Sequence, residues 1–326
     1  MKKKFLVIRF SSIGDIVLTT PVVRCLKQQV ANAEIHYITK KKHQAILEHN
    51  PYIDKLHLLD DKLLDTVEEL KNEQFDYVID LHNNIRSAQI KRLLKVKNYS
   101  VDKLNIKKLL LVTFKINKLP NLHIVDRYMD TVNAFGVLND GKGLDYFIPP
   151  ETENNTELIS KINNDYVAIV LAGTYYTKRF PQSKLIELCK ATDKPIVLLG
   201  GNDEKEMGEN IVKACGQHVK NYCGELNLNQ SALFTKHARL VITNDTGLMH
   251  IAAAFHKKIL SIWGNTVPEF GMYPYIPHSA SEIMQVRGLN CRPCSKLGSN
   301  QCPKRHFKCM MDLSISSMIN WIDENY

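Results

Sequence analysis

Three turns in the sequence carry side chains suited to group transfer. The first, Ser11-Ser12-Ile13-Gly14-Asp15, follows an apolar run at 5–10 and leads into helical apolar spacing at Ile16, Thr20, Val23, Leu26 and Val30. A carboxylate there is placed to take a proton from an attacking hydroxyl, or simply to cap the helix that follows. The second, Gly173-Thr174-Tyr175-Tyr176-Thr177-Lys178-Arg179-Phe180-Pro181, offers Lys178 as a point charge for a diphosphate and Pro181 as a helix start. The third is Thr243-Asn244-Asp245-Thr246-Gly247-Leu248-Met249-His250, running into three alanines at 252–254. Gly247 lets a ligand come close to the backbone, and N–H groups at a helix start suit a phosphate. His250 lies one turn in, on the side of Thr246. An ordinary capped helix with a packed histidine has the same spacing. The Lys178 loop is not a Gly-x-x-x-x-Gly-Lys-Ser/Thr loop, the one Gly-x-x-x-x-Gly-Lys run (136–142) is followed by Gly143 rather than Ser or Thr, and Gly-x-Gly-x-x-Gly does not occur, which argues against nucleotide triphosphatases, kinases and dinucleotide dehydrogenases.

Such turns need strands to hold them. Short runs rich in Val, Ile and Leu lie at 5–10, 35–39, 56–59 and 77–81, then at 166–172, 195–200, 239–243 and 258–263. Helical patterns separate them, which predicts parallel strands in βαβ units. The reading is α/β: two Rossmann-like, doubly wound lobes at 1–150 and 157–326, with ligands in a cleft at strand carboxyl ends. A polar, proline-bearing linker is expected at 149–156 and a terminal helix at 313–321. Pro21 either kinks its helix or marks the true start. A chain of 326 residues with 44% hydrophobic and 24% charged side chains and a mean hydropathy of −0.22 is neither disordered nor fibrous. Its longest apolar runs, such as 109–112, fall far short of the ~20 residues of a spanning helix. The basic start is followed by an apolar run that stops at Arg9, too short for a signal peptide, so a cytoplasmic protein is expected.

The net charge of +9 is concentrated. Residues 91–118 hold nine basic side chains and one acid, Asp102, interleaved with Leu93, Leu94, Val96, the apolar stretch 109–112 and Phe114. That segment reads as a basic amphipathic patch for anionic lipid or acceptor phosphates, or as a solvated helix face plus a core strand. No aromatic stacking platform accompanies it, so no nucleic-acid partner is expected. Cys25, Cys189, Cys215 and Cys223 are scattered among apolar neighbours. Cys291, Cys294, Cys302 and Cys309 cluster with His306, and packed thiols, a structural zinc and disulfides all remain open for them.

Taken in order, these motifs resemble glycosyltransferase family 9, the ADP-heptose:lipopolysaccharide heptosyltransferases. The likeness spans nearly the whole chain. It runs through Arg9 to Pro21, Phe75 to His82, His123 to Tyr128, Thr174 to Pro181, Val197 to Glu204, Thr243 to Ala254, Ile262 to Thr266 and the 291–310 stretch. The resemblance implies a GT-B fold and an inverting transfer that needs no metal or other cofactor. Asp15 falls on the family base and Lys178 on the diphosphate lysine. Thr174, Glu204, Asp245, Thr246, Gly247 and His250 fall on the donor side. Ser12, Gly14 and Arg127 fall on the acceptor side, with Arg127 at a position associated with the anionic acceptor or the donor. Departures occur at His82-Asn83-Asn84 and at Trp263-Gly264-Asn265, where the family carries a small Gly-containing segment and Phe-Gly-Pro. The function expected is transfer of heptose from ADP-heptose to the inner core of a lipid A-core acceptor, on the cytoplasmic face of the inner membrane. The alternatives are another nucleotide sugar or acceptor, and a non-catalytic membrane-surface protein on the same fold.

Overall fold

The computed structural model describes residues 2–59, 63–162 and 165–326. Among these residues, eleven strands form two sheets, and every pairing is parallel. One holds β1 (Lys3–Ile8), β2 (Ala33–Lys40), β3 (Lys55–Leu59), β4 (Tyr77–Asp80) and β5 (Lys97–Ser100), in the order β3-β2-β1-β4-β5. The other holds β6 (Val167–Val170), β7 (Ile196–Leu199), β8 (Val219–Asn221), β9 (Leu240–Asn244), β10 (Lys258–Trp263) and β11 (Glu282–Gln285), in the order β11-β10-β9-β6-β7-β8. In the first sheet the winding reverses between β1 and β4, and in the second between β6 and β9. Crossover helices diverge there and leave the strand carboxyl ends open to a ligand. Both central strands are apolar on both faces: Phe5 to Ile8 and Val167 to Val170 are buried. In register, Phe5 lies opposite Ile35 on one side and Tyr77 on the other.

Tertiary contacts divide the chain into two units. The first comprises residues up to Lys103 together with Leu122–Phe147, and the second Leu104–Asn121 with Ile148–Tyr326. Residues 104–121, which the sequence analysis counts within its first domain, therefore pack with the second unit. The stretch expected as a linker carries two short helices, Pro150–Glu153 and Thr156–Lys161, the latter capped by Asn155 through the Leu158 N–H at 3.0 Å. Pro21 sits in the first turn of the helix Thr20–Gln29, after a separate helix Ile13–Val17, so it marks a start. Stretch 109–112 is helical, within Asn105–Phe114, and only Leu111 of that helix is buried. The terminal helix runs Ile315–Asn325 and closes the second core with Ile315, Met318, Trp321 and Ile322. The Trp321 indole N–H donates to Ala280 O at 2.8 Å, and that of Trp263 to Ser261 Oγ at 3.1 Å.

In the first unit, Arg24 fastens the helix Thr20–Gln29 to the loop that follows Leu138. Its Nε and Nη2 donate to the two Asp140 oxygens at 2.8 Å each, Nη2 also reaches Gly143 O at 2.8 Å, and Nη1 pairs with Asp145. Burial opposes the charge, but Asp140 and Asp145 outweigh it and hold the guanidinium above its ordinary value. Removing one partner of a buried ion cluster leaves the others uncompensated. Arg24→Met is therefore expected to destabilise the protein by about 3–5 kcal/mol, read as a lower urea midpoint. A midpoint equal to the parent's would show that the cluster contributes nothing.

Candidate active site

The first unit presents its chemistry at the end of β1. Ser12 caps the helix Ile13–Val17 in a capping box with Asp15: its backbone N–H and its hydroxyl reach Asp15 Oδ2 at 3.2 and 2.7 Å. The other oxygen, Oδ1, pairs with Arg9 Nη2 at 2.6 Å. One side chain thus caps the helix and pairs with Arg9 while remaining part-exposed. Arg9 is buried and fully committed: Nε donates to Ser11 O at 2.7 Å, Nη1 to Leu81 O at 2.7 Å and to the Tyr128 hydroxyl at 3.0 Å. Burial works against its charge, and Asp15 and Tyr128 overcome this to raise Arg9 above its usual value. Burial likewise pushes the Tyr128 phenol up to about 12, despite Arg9.

The end of β4 faces the same switch point. Asp80 is buried, accepts the His82 and Asn83 N–H groups at 3.0 and 2.7 Å, and pairs with Lys91 at 2.8 Å. Burial, then the charges of Arg9 and Lys103, push the His82 imidazole down to about 4, so it is neutral at physiological pH. Lys103 reaches Asn83 O at 3.4 Å, and burial together with Arg9 lowers its value. Lys91 and Lys103 are thus part of this site rather than of an outward-facing basic surface. Arg127 is buried, with Nη1 3.4 Å from Asp102 O, and burial lowers its value against Tyr128, Asp102 and Asp126. Gly14 is buried within the helix turn beside Asp15.

The second unit builds its chemistry from the ends of β6 and β9. Lys178 pairs with Asp245 Oδ2 at 2.5 Å, and the Thr266 hydroxyl donates to the same oxygen at 3.1 Å. Asp245 thus anchors Lys178. The helix Gly247–Ala254 starts two residues on, with Thr246 at its N-cap in extended geometry. Gly247 and Thr246 are half-buried and His250 is buried on the helix's first turn. Thr174 is exposed on the preceding loop. Glu204 is buried: Oε2 accepts the Gly201 N–H at 3.0 Å and Oε1 pairs with Arg179 at 3.3 Å. Its carboxylate secures the short turn after β7.

Two residues to which the sequence analysis assigns no role hold these loops. Asn244 is buried, and its amide N–H groups reach Val170, Leu171 and Ala172 carbonyls at 3.3, 3.2 and 3.2 Å. Its Oδ1 accepts the Phe180 N–H at 3.1 Å. One amide therefore ties the Lys178 loop to the Asp245 turn. Arg9 does the equivalent for Asp15. The signal for both was a polar side chain ending an otherwise apolar strand. Gly264 is required by close approach: a Cβ there would lie 2.5 Å from Met310 Cε and 2.7 Å from Thr177 O.

The cysteine-bearing stretch packs on this unit without regular structure between Val286 and Phe307. All eight cysteines are free thiols. Burial pushes Cys309 up to about 12 and raises Cys294. Cys291 Sγ lies 3.9 Å from His306 Nε2. Arg292 secures the stretch by donating to Val286, Gly264, Trp263 and Thr266 carbonyls at 2.6, 2.5, 3.3 and 3.0 Å. Among the described residues, the one group of three metal-type ligands within 4.8 Å is His36, His57 and Glu73, with His36 opposite Leu6 in the middle of the first sheet.

Residues 64–304 match the model of glycosyltransferase family 9 (heptosyltransferase). A lipopolysaccharide heptosyltransferase 1 from Campylobacter coli is 28% identical over 295 residues, covering 81% of this chain and 84% of that protein. Among solved structures, a family 9 glycosyl transferase from Veillonella parvula superposes with a TM-score of 0.81 at 21% identity, over 99% of this chain and 97% of that one. The E. coli ADP-heptose lipopolysaccharide heptosyltransferase II superposes with a TM-score of 0.74 at 18% identity, over 99% and 98%. These likenesses identify the α/β architecture as GT-B-like. With two parallel sheets wound alike and a family match over most of its length, the chain belongs to glycosyltransferase family 9, the heptosyltransferase family.

Proposed function

We propose that this transferase moves heptose from ADP-heptose to the inner core of a lipid A-core acceptor, with inversion and without a metal ion, at the cytoplasmic face of the inner membrane. The relatives' names support the sugar and the acceptor class, and the name of the E. coli structure supports the donor. The observation that carries the mechanism is the Asp15 carboxylate, fixed by Arg9 and Ser12 with part of its surface open. Asp15 takes the proton of the acceptor hydroxyl as that oxygen attacks the anomeric carbon. The bond from that carbon to the diphosphate breaks, and ADP departs with the electron pair. The charge that develops on the diphosphate is met by Lys178 and by the N–H groups at the start of Gly247–Ala254. Asp245 and Thr266 keep Lys178 in place until the donor arrives. Thr174, Thr246 and His250 complete the donor side, while Glu204 supports it through Arg179. On the acceptor side, Ser12 and Gly14 shape the turn and Arg127 meets an anionic group of the acceptor. Among the described residues no helix is long and apolar enough to cross a membrane, and the association with lipid is through a surface. No cofactor enters this mechanism. The four clustered cysteines act as packed thiols.

Asp15→Asn keeps the side chain's shape and removes its basicity. Turnover should fall by ~10²–10⁴-fold with ADP affinity nearly unchanged. Near-parental turnover would remove Asp15 from the role of base. Lys178→Ala should lower kcat as well as donor affinity, since its charge matters most as the bond to diphosphate breaks. A change confined to the donor KM would assign it to ground-state binding alone. Activity should survive chelation, because lysine and helix N–H groups do the work a metal would do. An enzyme silenced by EDTA and restored by Mg²⁺ would overturn that part of the mechanism.

A further inference from the structure

We propose that the helix Asn105–Phe114 and the turn after it form a shallow membrane-insertion element that beds the second unit on anionic lipid. This rests on the reading of the acceptor as lipid-anchored, and it assigns the contact to one face of one helix rather than to the whole basic segment.

The helix is held rigidly on the second unit by its inner side. Leu111 packs with Val267 and Phe270, and the Lys108 ammonium lies 5.8 Å from the Phe270 ring centroid. At its two ends, Lys296 Nζ donates to Asn105 O at 3.1 Å, and Lys115 Nζ to Val112 O and Pro293 O at 2.8 and 2.7 Å. The outer side is apolar and uncovered. Ile106 is 77% exposed, Leu109 50%, Phe114 64% and Ile116, just past the helix, 48%. At about 100° per residue, Leu109, Thr113, Ile106, Leu110 and Phe114 share one arc of about 140°. Isolated exposed leucines are ordinary, but a contiguous apolar stripe on a fixed helix marks a contact surface.

Charge selects the partner. Of the nine basic side chains at 91–118, four, Lys107, Lys108, Lys115 and Lys118, lie in the stretch 104–121 that packs with the second unit, and that stretch holds no acid. Lys91 and Lys103 are committed to Asp80 and Asn83, and Lys108 and Lys115 to holding the helix. Lys107, about 20° past Phe114 on the helix, and Lys118, beyond the helix end, are exposed. An apolar stripe edged by lysines fits the boundary between acyl chains and anionic headgroups: side chains enter the first, ammonium groups meet the second. A protein partner would favour a flatter, less cationic face with aromatic anchors at its centre.

Flotation of the full chain tests this on phosphatidylethanolamine–phosphatidylglycerol vesicles and on phosphatidylcholine vesicles. The parent should float with the anionic vesicles, and increasingly less so as salt rises. The double variant Ile106→Asp/Phe114→Asp should lower vesicle binding by about tenfold or more. Both positions are exposed, so its thermal unfolding midpoint should match the parent's. Lys107→Glu/Lys118→Glu should weaken anionic binding several-fold and leave neutral vesicles unaffected. In both variants turnover of a membrane-embedded acceptor should fall, while turnover of a soluble, delipidated acceptor should not. A double-aspartate variant that floats as the parent does, or a parent that floats equally on both lipids, overturns the proposal. So does equal loss on embedded and soluble acceptors, which would assign the face to gripping the acceptor itself. A parent that releases no ADP from ADP-heptose with any lipid A-core acceptor would instead sink the functional reading, and flotation would still decide the surface.

Discussion

Everything chemical in this protein depends on strands that all run one way. In a parallel sheet the carboxyl ends collect at one edge, and where the winding reverses the crossovers part and leave that edge open. Each sheet does this once, beside β1 in the first and beside β6 in the second. Asp15 follows β1, His82 follows β4, Lys178 follows β6 and Asp245 follows β9. The loops are long enough to wander, so each needs a fastening. Arg9 and Asn244 supply it, each a buried polar group at a strand end that reaches backbone carbonyls just past the neighbouring strand, Leu81 O for Arg9 and Leu171 and Ala172 O for Asn244.

Four cations share one electrostatic pattern. Burying a cation is costly unless a carboxylate faces it. Arg9 faces Asp15, Arg24 faces Asp140 and Asp145, Lys91 faces Asp80, and Lys178 faces Asp245. At Arg24 the arrangement only holds structure together. Under the proposed mechanism, the same arrangement at Arg9 and Lys178 would keep a reactive group in position before substrate arrives, leaving less reorganisation for the moment of transfer. Structural and chemical charge pairs are alike in kind here, and what distinguishes them is whether a switch-point edge lies beside them.

Central strands were legible in the sequence because both of their faces are buried and they read as unbroken apolar runs. The three strands that escaped, β5 with Lys-Asn-Tyr-Ser, β8 with Val-Lys-Asn and β11 with Glu-Ile-Met-Gln, are all at sheet edges. An edge strand is half solvated and needs no apolar run, so periodicity passes over it. The stretch 109–112 shows the converse: four apolar residues in a row look like a buried strand, yet they belong to a helix whose outer side is uncovered. That Asp15, Lys178 and Asp245 lie just past strand ends was legible from residue type and position after an apolar run. Arg9 and Asn244 were not, because their importance lies in which distant carbonyls they meet, and that is a property of the sheet order. The basic segment was legible as a charge run, but its division between site, tether and surface depended on partners far away in sequence.

The two tryptophans have a practical consequence. The chain contains only Trp263 and Trp321, one at the end of β10 and one in the terminal helix, each buried with its indole N–H hydrogen-bonded. Both belong to the second unit. Indole emission therefore observes that unit alone, while the first unit contributes only tyrosine and phenylalanine. A denaturation curve followed by tryptophan light would report the melting of one half of the molecule, and comparison with circular dichroism, which weighs both halves, would reveal whether they unfold together or in turn.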